Sequence, residues 1–273
     1  MCRLYGFIST HPRKVECELI QSQNSLLHQS ETDMRGEQNP HGWGLGNYQK
    51  SEPHVVKEPE PAFESDEFRW LAANVSSTLV ISHVRRATVG IVSMENTHPF
   101  AHHGLMIAHN GHIEQFDLVR EKLISAMSDE ASKWIQGSTD SEYILAYAHH
   151  VSHEDPEASL ATILIRSLRD IIAMIGGVDP DAESALNVVF SNGDELAASC
   201  YNRSLYMVER DAVHPCQVCA GALHVEEMPE SYRAVILASE PITTDEEWQK
   251  IPNRSIVEVD SILTVSIREN ALA

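Results

Sequence analysis

The stretch ALNVVFSNGDELAASCYNRSLYMVE, residues 185–209, carries the pattern that decides the fold class. It contains three short runs rich in apolar and β-branched residues, and Asn192-Gly193 lies between the first two. Because Asn-Gly supplies the positive φ angles of a tight turn, the pattern predicts an antiparallel hairpin followed by a third strand. Strands that follow one another without an intervening helix favour antiparallel sheets over a doubly wound parallel sheet.

The rest of the chain shows the same grouping of short strand candidates. Further strands are predicted at 2–8, 44–49, 78–84, 105–110, 234–239 and 256–267. Helical patterns cover 14–29, 66–75, 115–127, 140–152 and 157–176, and the fourth has Ser138 or Thr139 as its cap and Glu142 in its first turn. Three prolines and six acids at 51–67 predict a surface excursion. The fold class is therefore α+β with antiparallel sheets, and the two groups of helices are long enough to cover both outer faces of a two-sheet sandwich.

Charge and hydrophobicity limit the possible partners and compartments. The 273 residues include 20 Lys and Arg against 40 Asp and Glu, a formal net charge of −20 that would repel nucleic-acid phosphates. No apolar run approaches the ~20 residues of a membrane helix, and MCRLYGFIST at the N-terminus lacks the pattern of a secretory signal. We therefore expect a cytoplasmic protein that binds neither nucleic acid nor membrane. The cysteines are odd in number and show no disulfide spacing: Cys2, Cys17, Cys200, Cys216 and Cys219.

Cys2 is the first candidate for chemistry. Methionine aminopeptidases remove Met1 when the second residue is small, which would leave a cysteine with a free α-amine. The ordinary pKa is about 8.5 for the thiol and about 7.7–8.0 for the amine, so one residue would hold a nucleophile and a base. The alternative is a buried cysteine in an N-terminal strand.

Two further segments place polar residues at the ends of apolar strands. SHVRRATVG at 82–90 ends a strand with two arginines, and Arg85 there suits a bidentate grip on a carboxylate or, alternatively, a surface salt bridge. LMIAHNGHI at 105–113 stops at Asn110-Gly111, which fits either a hairpin turn or an oxyanion hole built from a side-chain amide and a backbone N–H.

Two single residues add to this set. Asp140 in GSTDSEYI at 137–144 stands at a helix start, as a cap or as a ligand for an ammonium group. His98 precedes a proline in ENTHPF at 95–100, where it is either structural or part of a site. A nucleophile beside an oxyanion hole predicts an amide substrate. The arginine and the aspartate predict that this amide also has an α-carboxylate and an α-ammonium group. Glutamine and other γ-glutamyl compounds have all three groups.

The order of these motifs resembles that of the class II glutamine amidotransferases. The matching segments are Cys2 after the initiator Met, HVRRAT at 83–88, NTHP at 96–99, HNG at 109–111 and TDSE at 139–142. The loop RGEQNPHGWGLGNY at 35–48 is similar to the family's arginine-glycine loop. ASEPITTDEEWQKIP at 238–252 is similar to a C-terminal stretch of small stand-alone members, a subgroup that includes the γ-glutamyl amidohydrolase of ergothioneine synthesis.

The resemblance implies an N-terminal-nucleophile hydrolase fold, a four-layer αββα sandwich of two antiparallel sheets, formed as one domain by residues 2–273. It implies Cys2 as the nucleophile, Asn110 and Gly111 as the oxyanion hole, Arg85 as the carboxylate clamp and Asp140 as the ammonium ligand. Thr88 and His98 fall where the family has site-shaping residues. No cofactor is expected.

The sequence departs from the family at two positions beside the clamp. Arg86 stands where the sugar-phosphate synthases carry Trp, and Val89 stands where they carry His. A second cation beside Arg85 favours either a substrate with a further carboxylate or a neighbouring acid on the protein. The predicted reaction is hydrolysis of glutamine, with ammonia released or passed to a partner synthase, and the alternative is hydrolysis of a different γ-glutamyl amide.

A metal-binding or regulatory module without catalysis is the remaining alternative. HPCQVCAGALH at 214–224 offers His214, Cys216, Cys219 and His224, and its Cys-x-x-Cys spacing fits zinc or a redox pair. A single motif of this kind is weak, so ordinary loop and strand cysteines are expected there. The pairs His102-His103 and His149-His150 are predicted to be solvated or core residues.

Overall fold

The computed structural model describes residues 2–215, 218 and 229–273. Within this part of the chain, the strands form two antiparallel sheets. One has the order β11-β9-β10-β1-β4-β2-β3 and the other β13-β12-β8-β7-β6-β5. The strands of the first are β1 (Arg3–Lys14), β2 (Trp43–Gln49), β3 (Glu52–Glu58), β4 (Ser76–Val84), β9 (Tyr206–Arg210), β10 (Ala234–Ala238) and β11 (Gln249–Lys250). Those of the second are β5 (Phe100–His102), β6 (Leu105–His112), β7 (Ala185–Ser191), β8 (Leu196–Cys200), β12 (Ser255–Val259) and β13 (Val265–Arg268).

Helices lie against the outer face of each sheet. The first sheet is covered by a π-helical turn at Cys17–Gln21, α1 (Leu26–Glu31), a 3-10 turn at Ala62–Glu64 and α2 (Asp66–Asn74). The second is covered by α3 (Phe116–Ala126), α4 (Asp129–Lys133), α5 (Asp140–Glu154) and α6 (Leu160–Gly176). The predicted α+β class and the four-layer αββα order are both confirmed.

Alternation along β1 shows why the chain folds into these layers. Leu4 and Ile8 point into the apolar layer between the sheets, whereas Tyr5 and Phe7 point toward the helices of the first sheet. Residues of a strand alternate between its two faces, so a strand covered on both sides is apolar throughout. β1 pairs with β4 on one side and β10 on the other, which makes it an interior strand.

The structure adds detail to one sequence expectation about local elements and corrects another. The segment 51–67, predicted to be a surface excursion, contains β3, which pairs with β2 at the sheet edge, where Pro53 is tolerated. Thr139 is the N-cap residue of α5 but makes no capping hydrogen bond. The Glu142 carboxylate instead reaches back and accepts hydrogen bonds from the backbone N–H groups of Gln136 and Gly137.

The hairpin predicted around Asn192-Gly193 is confirmed. β7 and β8 are antiparallel, and Ser191 and Leu196 form the pair next to the turn. Gly193, within the turn, has a φ of +99°. Across the described ranges, none of the helices combines the length and the apolar character needed to span a membrane.

Candidate active site

Cys2 lies directly before β1, at the end of an interior strand. The neighbouring Arg3 is buried and fixes this end of the chain, because its guanidinium donates to the Cys2 carbonyl at 2.9 Å and pairs with Asp33 at 2.7 Å and Glu240 at 2.6 Å. One side chain thus ties the start of β1 to two distant loops. The backbone of Cys2 is held rigidly as a result.

The Cys2 thiol contacts the main chain of Arg86. The backbone N–H of Arg86 donates to Sγ at 3.3 Å, and the thiol donates to the Arg86 carbonyl at 3.4 Å. Burial raises the pKa of the Cys2 thiol, while the Arg86 N–H and the charges of Arg85 and Arg3 act in the opposite direction. A thiolate formed here therefore has one hydrogen-bond donor and two cations close to it.

Cys2 opens onto a small cavity of about 30 Å³ between the ends of strands from both sheets. Its other lining residues are Arg86, Thr88, Asn110, Gly111, His112 and Arg203. The predicted nucleophile and the predicted oxyanion residues therefore share one cavity.

Asn110 and Gly111 lie within β6 and pair with Asn187 and Leu186 of β7. The interpretation of Asn110-Gly111 as a hairpin turn is therefore wrong. The Asn110 side chain is oriented by Ser239, whose hydroxyl accepts from Nδ2 at 3.2 Å and from the Leu4 backbone N–H at 3.0 Å. A Cβ on Gly111 would lie 1.8 Å from the Ala185 carbonyl oxygen, so only glycine allows β6 and β7 to approach this closely.

Arg85 follows β4 and is 2 % exposed. Its guanidinium donates to the carbonyls of Ile91 at 3.1 Å and Val89 at 2.9 Å, and so holds the loop after Thr88. Burial lowers the pKa of Arg85, and the charges of Cys2 and Asp140 oppose that shift. A guanidinium has five N–H groups, so these two bonds leave donors for an anion.

Asp140 begins α5 and is buried beside His109. One carboxylate oxygen accepts from the Ile113 backbone N–H at 2.7 Å and the other from the Ser141 hydroxyl at 3.2 Å, with His109 Nδ1 3.8 Å away. Burial lowers the pKa of His109, and the Asp140 charge opposes that shift. The carboxylate is thus a fixed negative group between β6 and α5.

Comparison with known proteins identifies the family. The model of the class-II glutamine amidotransferases matches residues 1–267 of this chain. The chain belongs to this family. The resemblance of its ordered motifs is thereby confirmed, and the chain is an enzyme of the class II glutamine amidotransferases.

Two curated relatives cover nearly the whole of this amidotransferase. It is 28 % identical to a probable glutamine amidotransferase of Saccharomyces cerevisiae, over 95 % of this chain and 82 % of the yeast protein. It is 26 % identical to the γ-glutamyl-hercynylcysteine sulfoxide hydrolase of Mycobacterium tuberculosis, over 95 % of this chain and 93 % of that protein.

Solved structures share the fold of this amidotransferase. A glutamine aminotransferase class-II domain protein of Silicibacter pomeroyi superposes with a TM-score of 0.67 at 22 % identity, with both chains fully covered. The glutamine phosphoribosylpyrophosphate amidotransferase of B. subtilis superposes with a TM-score of 0.64 at 15 % identity, over 98 % of this chain and 49 % of that one.

Arg86, where this amidotransferase departs from the synthases, forms a salt bridge with Glu37. Both side chains are about one-third exposed, at 37 % and 38 %. The hydrogen bond from Arg86 lowers the pKa of Glu37. The sequence analysis offered two partners for the Arg86 charge, a further carboxylate on the substrate or a neighbouring acid on the protein. The structure shows the neighbouring acid, Glu37.

The loop that supplies Glu37 also contacts the Arg85–Ala87 turn. His41 Nδ1 accepts from the Ala87 backbone N–H at 2.9 Å, which leaves the proton of the neutral ring on Nε2. Burial and the charges of Arg85 and Arg86 lower the pKa of His41. The neutral ring therefore contacts the main chain next to Arg86.

Thr88 and His98, the two site-shaping residues implied by the resemblance, lie in different places. Thr88 lines the Cys2 cavity. His98 is buried against His83, with ring centroids 4.2 Å apart, and against Phe100 at 4.7 Å, and it is absent from the described lining of that cavity. His98 is therefore a buried residue outside the described lining of the cavity.

Three cavity or supporting residues were missed by the sequence analysis: His112, Arg203 and Ser239. Arg203 Nη2 lies 3.5 Å from His112 Nδ1, and burial together with the Arg35 charge lowers the pKa of Arg203. No periodicity or motif marks Arg203 in the loop after β8. Ser239 lies in the ASEP segment noted for its family resemblance, which could have drawn attention to it.

The Cys-x-x-Cys motif belongs to a segment of which the structure describes only part. Cys216, Cys219 and His224 lie outside the described residues. His214 contacts acids, with Nε2 3.4 Å from Asp245 and Nδ1 3.6 Å from Glu246.

Proposed function

We propose that this enzyme hydrolyses the γ-amide of glutamine through a thioester on Cys2 and releases ammonia. The observation that carries the proposal is the cavity lined by the Cys2 thiol together with Asn110 and Gly111. A nucleophile and two candidate oxyanion donors around one small space are what acyl transfer requires. Family membership supports an amidohydrolase reaction, and the mechanism through Cys2, which the family resemblance implies, is part of our proposal.

In the proposed mechanism, removal of Met1 frees the α-amine of Cys2. The amine takes the thiol proton, the thiolate attacks the γ-carbonyl carbon, and the oxyanion accepts hydrogen bonds from the Asn110 amide and the Gly111 backbone N–H. The C–N bond then breaks, and the leaving nitrogen takes the proton to depart as ammonia. Water attacks the thioester in the same way and releases glutamate.

The ends of the substrate are assigned to the two buried charges. In this proposal Arg85 binds the α-carboxylate and Asp140 the α-ammonium group, while Thr88 lines the pocket and His98 supports the site through its packing against His83 and Phe100. Both charges also hold the main chain, Arg85 at Val89 and Ile91 and Asp140 at Ile113. Substrate binding and loop position are therefore coupled in this proposal.

A second candidate is hydrolysis of a γ-glutamyl amide with a larger amine. It is favoured by Arg203 and Arg86, two cations that line the cavity, with Arg85 directly before Arg86 in the chain. An anionic leaving portion would meet these cations, and one relative is described as a γ-glutamyl-hercynylcysteine sulfoxide hydrolase. Transfer of ammonia to a partner synthase, a cytoplasmic location and a single domain over 2–273 all remain predictions.

The test combines mass spectrometry with a hydrolysis screen. We expect active protein to lack Met1, and we expect it to release ammonia from glutamine or amine from γ-glutamyl anilide and γ-glutamyl-cysteine-type amides. Cys2→Ala should reduce turnover at least a thousandfold, because the nucleophile is lost. Acid quenching during turnover should leave a γ-glutamyl adduct on the N-terminal peptide of the wild type.

Cys17→Ser is the matched control, since Cys17 is buried by the π-helical turn and contacts Ser22 at 3.4 Å, away from the cavity. It should keep wild-type turnover. Full activity in protein that retains Met1, or in Cys2→Ala, would overturn the proposed mechanism. Release of a larger amine but not of ammonia would select the second candidate.

A further inference from the structure

Four histidines gather where the β5–β6 turn meets α5. His102 ends β5, and His103 follows in a two-residue turn with Gly104, with φ angles of +46° and +79°. His149 and His153 lie one helical turn apart on α5, with ring centroids 4.4 Å apart. The ligand atoms of His102, His103 and His149 all lie within 4.8 Å of one another.

Burial makes this cluster different from a solvated group of histidines. His149 is 3 % exposed, and among the described residues neither of its ring nitrogens has a hydrogen-bond partner. A buried polar ring without partners is unfavourable, because it has given up its bonds to water and gained none. The rings of His102 and His103 lie 5.0 and 5.1 Å from that of His149, so its open nitrogens adjoin two further imidazoles.

The surroundings of His102 and His149 lower the pKa of both rings, and a neighbouring tryptophan orients the His102 ring. Burial, followed by the neighbouring histidines, lowers the pKa of His102 to about 4 and that of His149 to about 4. Neutral imidazoles have a free lone pair, which is the form that binds metal ions. Trp134 stacks on His102, with centroids 4.1 Å apart and an interplanar angle of 20°, and restricts the rotation of that ring.

We propose that His102, His103 and His149 bind a divalent transition metal of the zinc class, with His153, whose ring contacts that of His149, as a donor for a fourth position. Imidazole suits Zn²⁺, Cu²⁺ and Ni²⁺, and three or four nitrogens match their coordination number. Tetrahedral Zn–N bonds of about 2.0–2.1 Å separate the ligand nitrogens by about 3.4 Å, so ligand atoms that now lie within 4.8 Å of one another need to approach by about 1.4 Å at most.

The role of this metal is structural. It joins the turn between β5 and β6, at the edge of the second sheet, to α5 in the helical layer. Asp140 begins the same helix nine residues before His149, about 14 Å along the helix axis, and the described lining of the Cys2 cavity contains none of these histidines.

The test is a calorimetric titration of chelator-treated full-length protein with Zn²⁺ alone. We expect one saturable site per chain and a melting temperature that rises with Zn²⁺ concentration. His149→Ala should weaken binding at least tenfold. Because His149 is buried, the exposed His103→Asn serves as a second variant, since asparagine accepts the positive φ of this turn. It too should weaken binding at least tenfold.

The matched control is His150→Ala, next to His149 on the same helix, where Nε2 faces Glu154 at 3.7 Å. It should bind Zn²⁺ like the wild type. Equal affinity in His103→Asn and wild type would overturn the proposal. So would loss of the bound metal in a Cys216→Ser/Cys219→Ser variant while His103→Asn keeps it, a result that would assign the metal to the Cys-x-x-Cys motif.

Discussion

Arg86 brings a second guanidinium next to Arg85, and Glu37 neutralises it. The pair is partly exposed, so the attraction between its charges is screened by water and salt. Glu37 belongs to the loop that Arg3 ties to Cys2 through Asp33, whose carboxylate also accepts from the Glu37 backbone N–H at 3.0 Å. The charge available to a substrate at Arg86 therefore depends on where this loop lies.

Replacing the Glu37 carboxylate with a neutral amide should make the Arg86 guanidinium available to an anionic substrate. We expect Glu37→Gln to increase kcat/KM severalfold for a γ-glutamyl amide with a carboxylate in its leaving portion, because Arg86 is then free to bind it. Arg86→Ala should remove that preference and leave glutamine turnover within about tenfold of wild type, or about 1.4 kcal/mol. The measurement is kcat/KM for both substrates in each variant.

Glu31→Gln, at an exposed position at the end of α1, is the control for a change of net charge alone. It should leave the ratio of the two kcat/KM values unchanged. If Arg86→Ala lowers kcat/KM equally for both substrates, Arg86 is a structural residue.

Individual site residues were predictable only where a motif names them. Cys2, Asn110, Gly111 and Thr88 come together in one cavity as the family motifs led us to expect. Arg203 reaches the same cavity from a loop whose sequence carries no signal, because its position depends on the pairing of β7 with β8 and β6. Contacts of this kind are set by tertiary structure.

At the scale of elements, β6 shows how one dipeptide can mislead. Asn-Gly usually marks a turn, yet here both residues continue a strand paired to β7. The glycine is required because the strands approach so closely that Ala185 occupies the space a side chain would need. Local preference was overridden by sheet packing at this position.

Gly111→Ala should therefore disrupt the candidate oxyanion site. Its methyl group forces β6 away from β7, and we expect a loss of about 1–3 kcal/mol in the free energy of unfolding. Turnover should fall by at least a hundredfold, because the Gly111 N–H and the Asn110 amide are displaced together. Urea unfolding and steady-state kinetics provide the two measurements.

Gly176→Ala is the matched glycine substitution. Nothing lies within 4 Å of a Cβ built on Gly176 at the end of α6, so stability should stay equal or rise slightly. Wild-type activity in Gly111→Ala would contradict the close approach seen between β6 and β7.

At the scale of the whole molecule, a buried ionic network joins the helical layer to the first sheet. Glu18 of the π-helical turn pairs with Arg210 of β9 and lies 3.2 Å from Arg13 of β1, and Arg210 also pairs with Glu246 at 2.7 Å. Burial raises the pKa of Glu18, but the two arginines outweigh it and lower the pKa to about 2. The carboxylate is therefore more acidic when folded than when unfolded.

Because the pKa of Glu18 is lower in the folded than in the unfolded state, the free energy of unfolding increases with pH. A carboxyl group with a depressed folded pKa stabilises the protein above its unfolded pKa of about 4.3, and that stabilisation is lost as the pH falls toward 2. The contribution is on the order of 3 kcal/mol at neutral pH. We expect Glu18→Gln to lower the free energy of unfolding strongly at pH 7, and the difference from wild type to shrink between pH 4 and pH 2.

Urea unfolding of both proteins across this pH range tests the prediction. Glu258→Gln, which breaks a surface pair with Arg268, is the control and should change stability little at any pH. A wild-type-minus-variant difference that stays constant with pH would show that Glu18 does not carry this dependence.

The fold class could be predicted from the sequence, whereas the order of the strands within each sheet could not. Short β-branched runs that follow one another without a helix, together with the Asn192-Gly193 hairpin, sufficed for α+β with antiparallel sheets, because these signals act over a few residues. The order of strands within each sheet, and the ionic network between Glu18 and Arg210, depend on residues far apart in the chain. No periodicity in the sequence specifies which distant strands become neighbours.

The position of β1 has a consequence for the timing of biosynthesis. Tyr5 pairs with Ser82 of β4 and with Ala238 of β10, so the second neighbour of β1 is synthesised more than 230 residues after it. At about 5–20 residues per second, the strand waits roughly 10–50 s on the ribosome for that partner. Once they have emerged from the ribosome, the first residues are accessible to an aminopeptidase before this partner strand is made. The proposed nucleophile is thus exposed early in translation, whereas the sheet that orients it is completed only near the end.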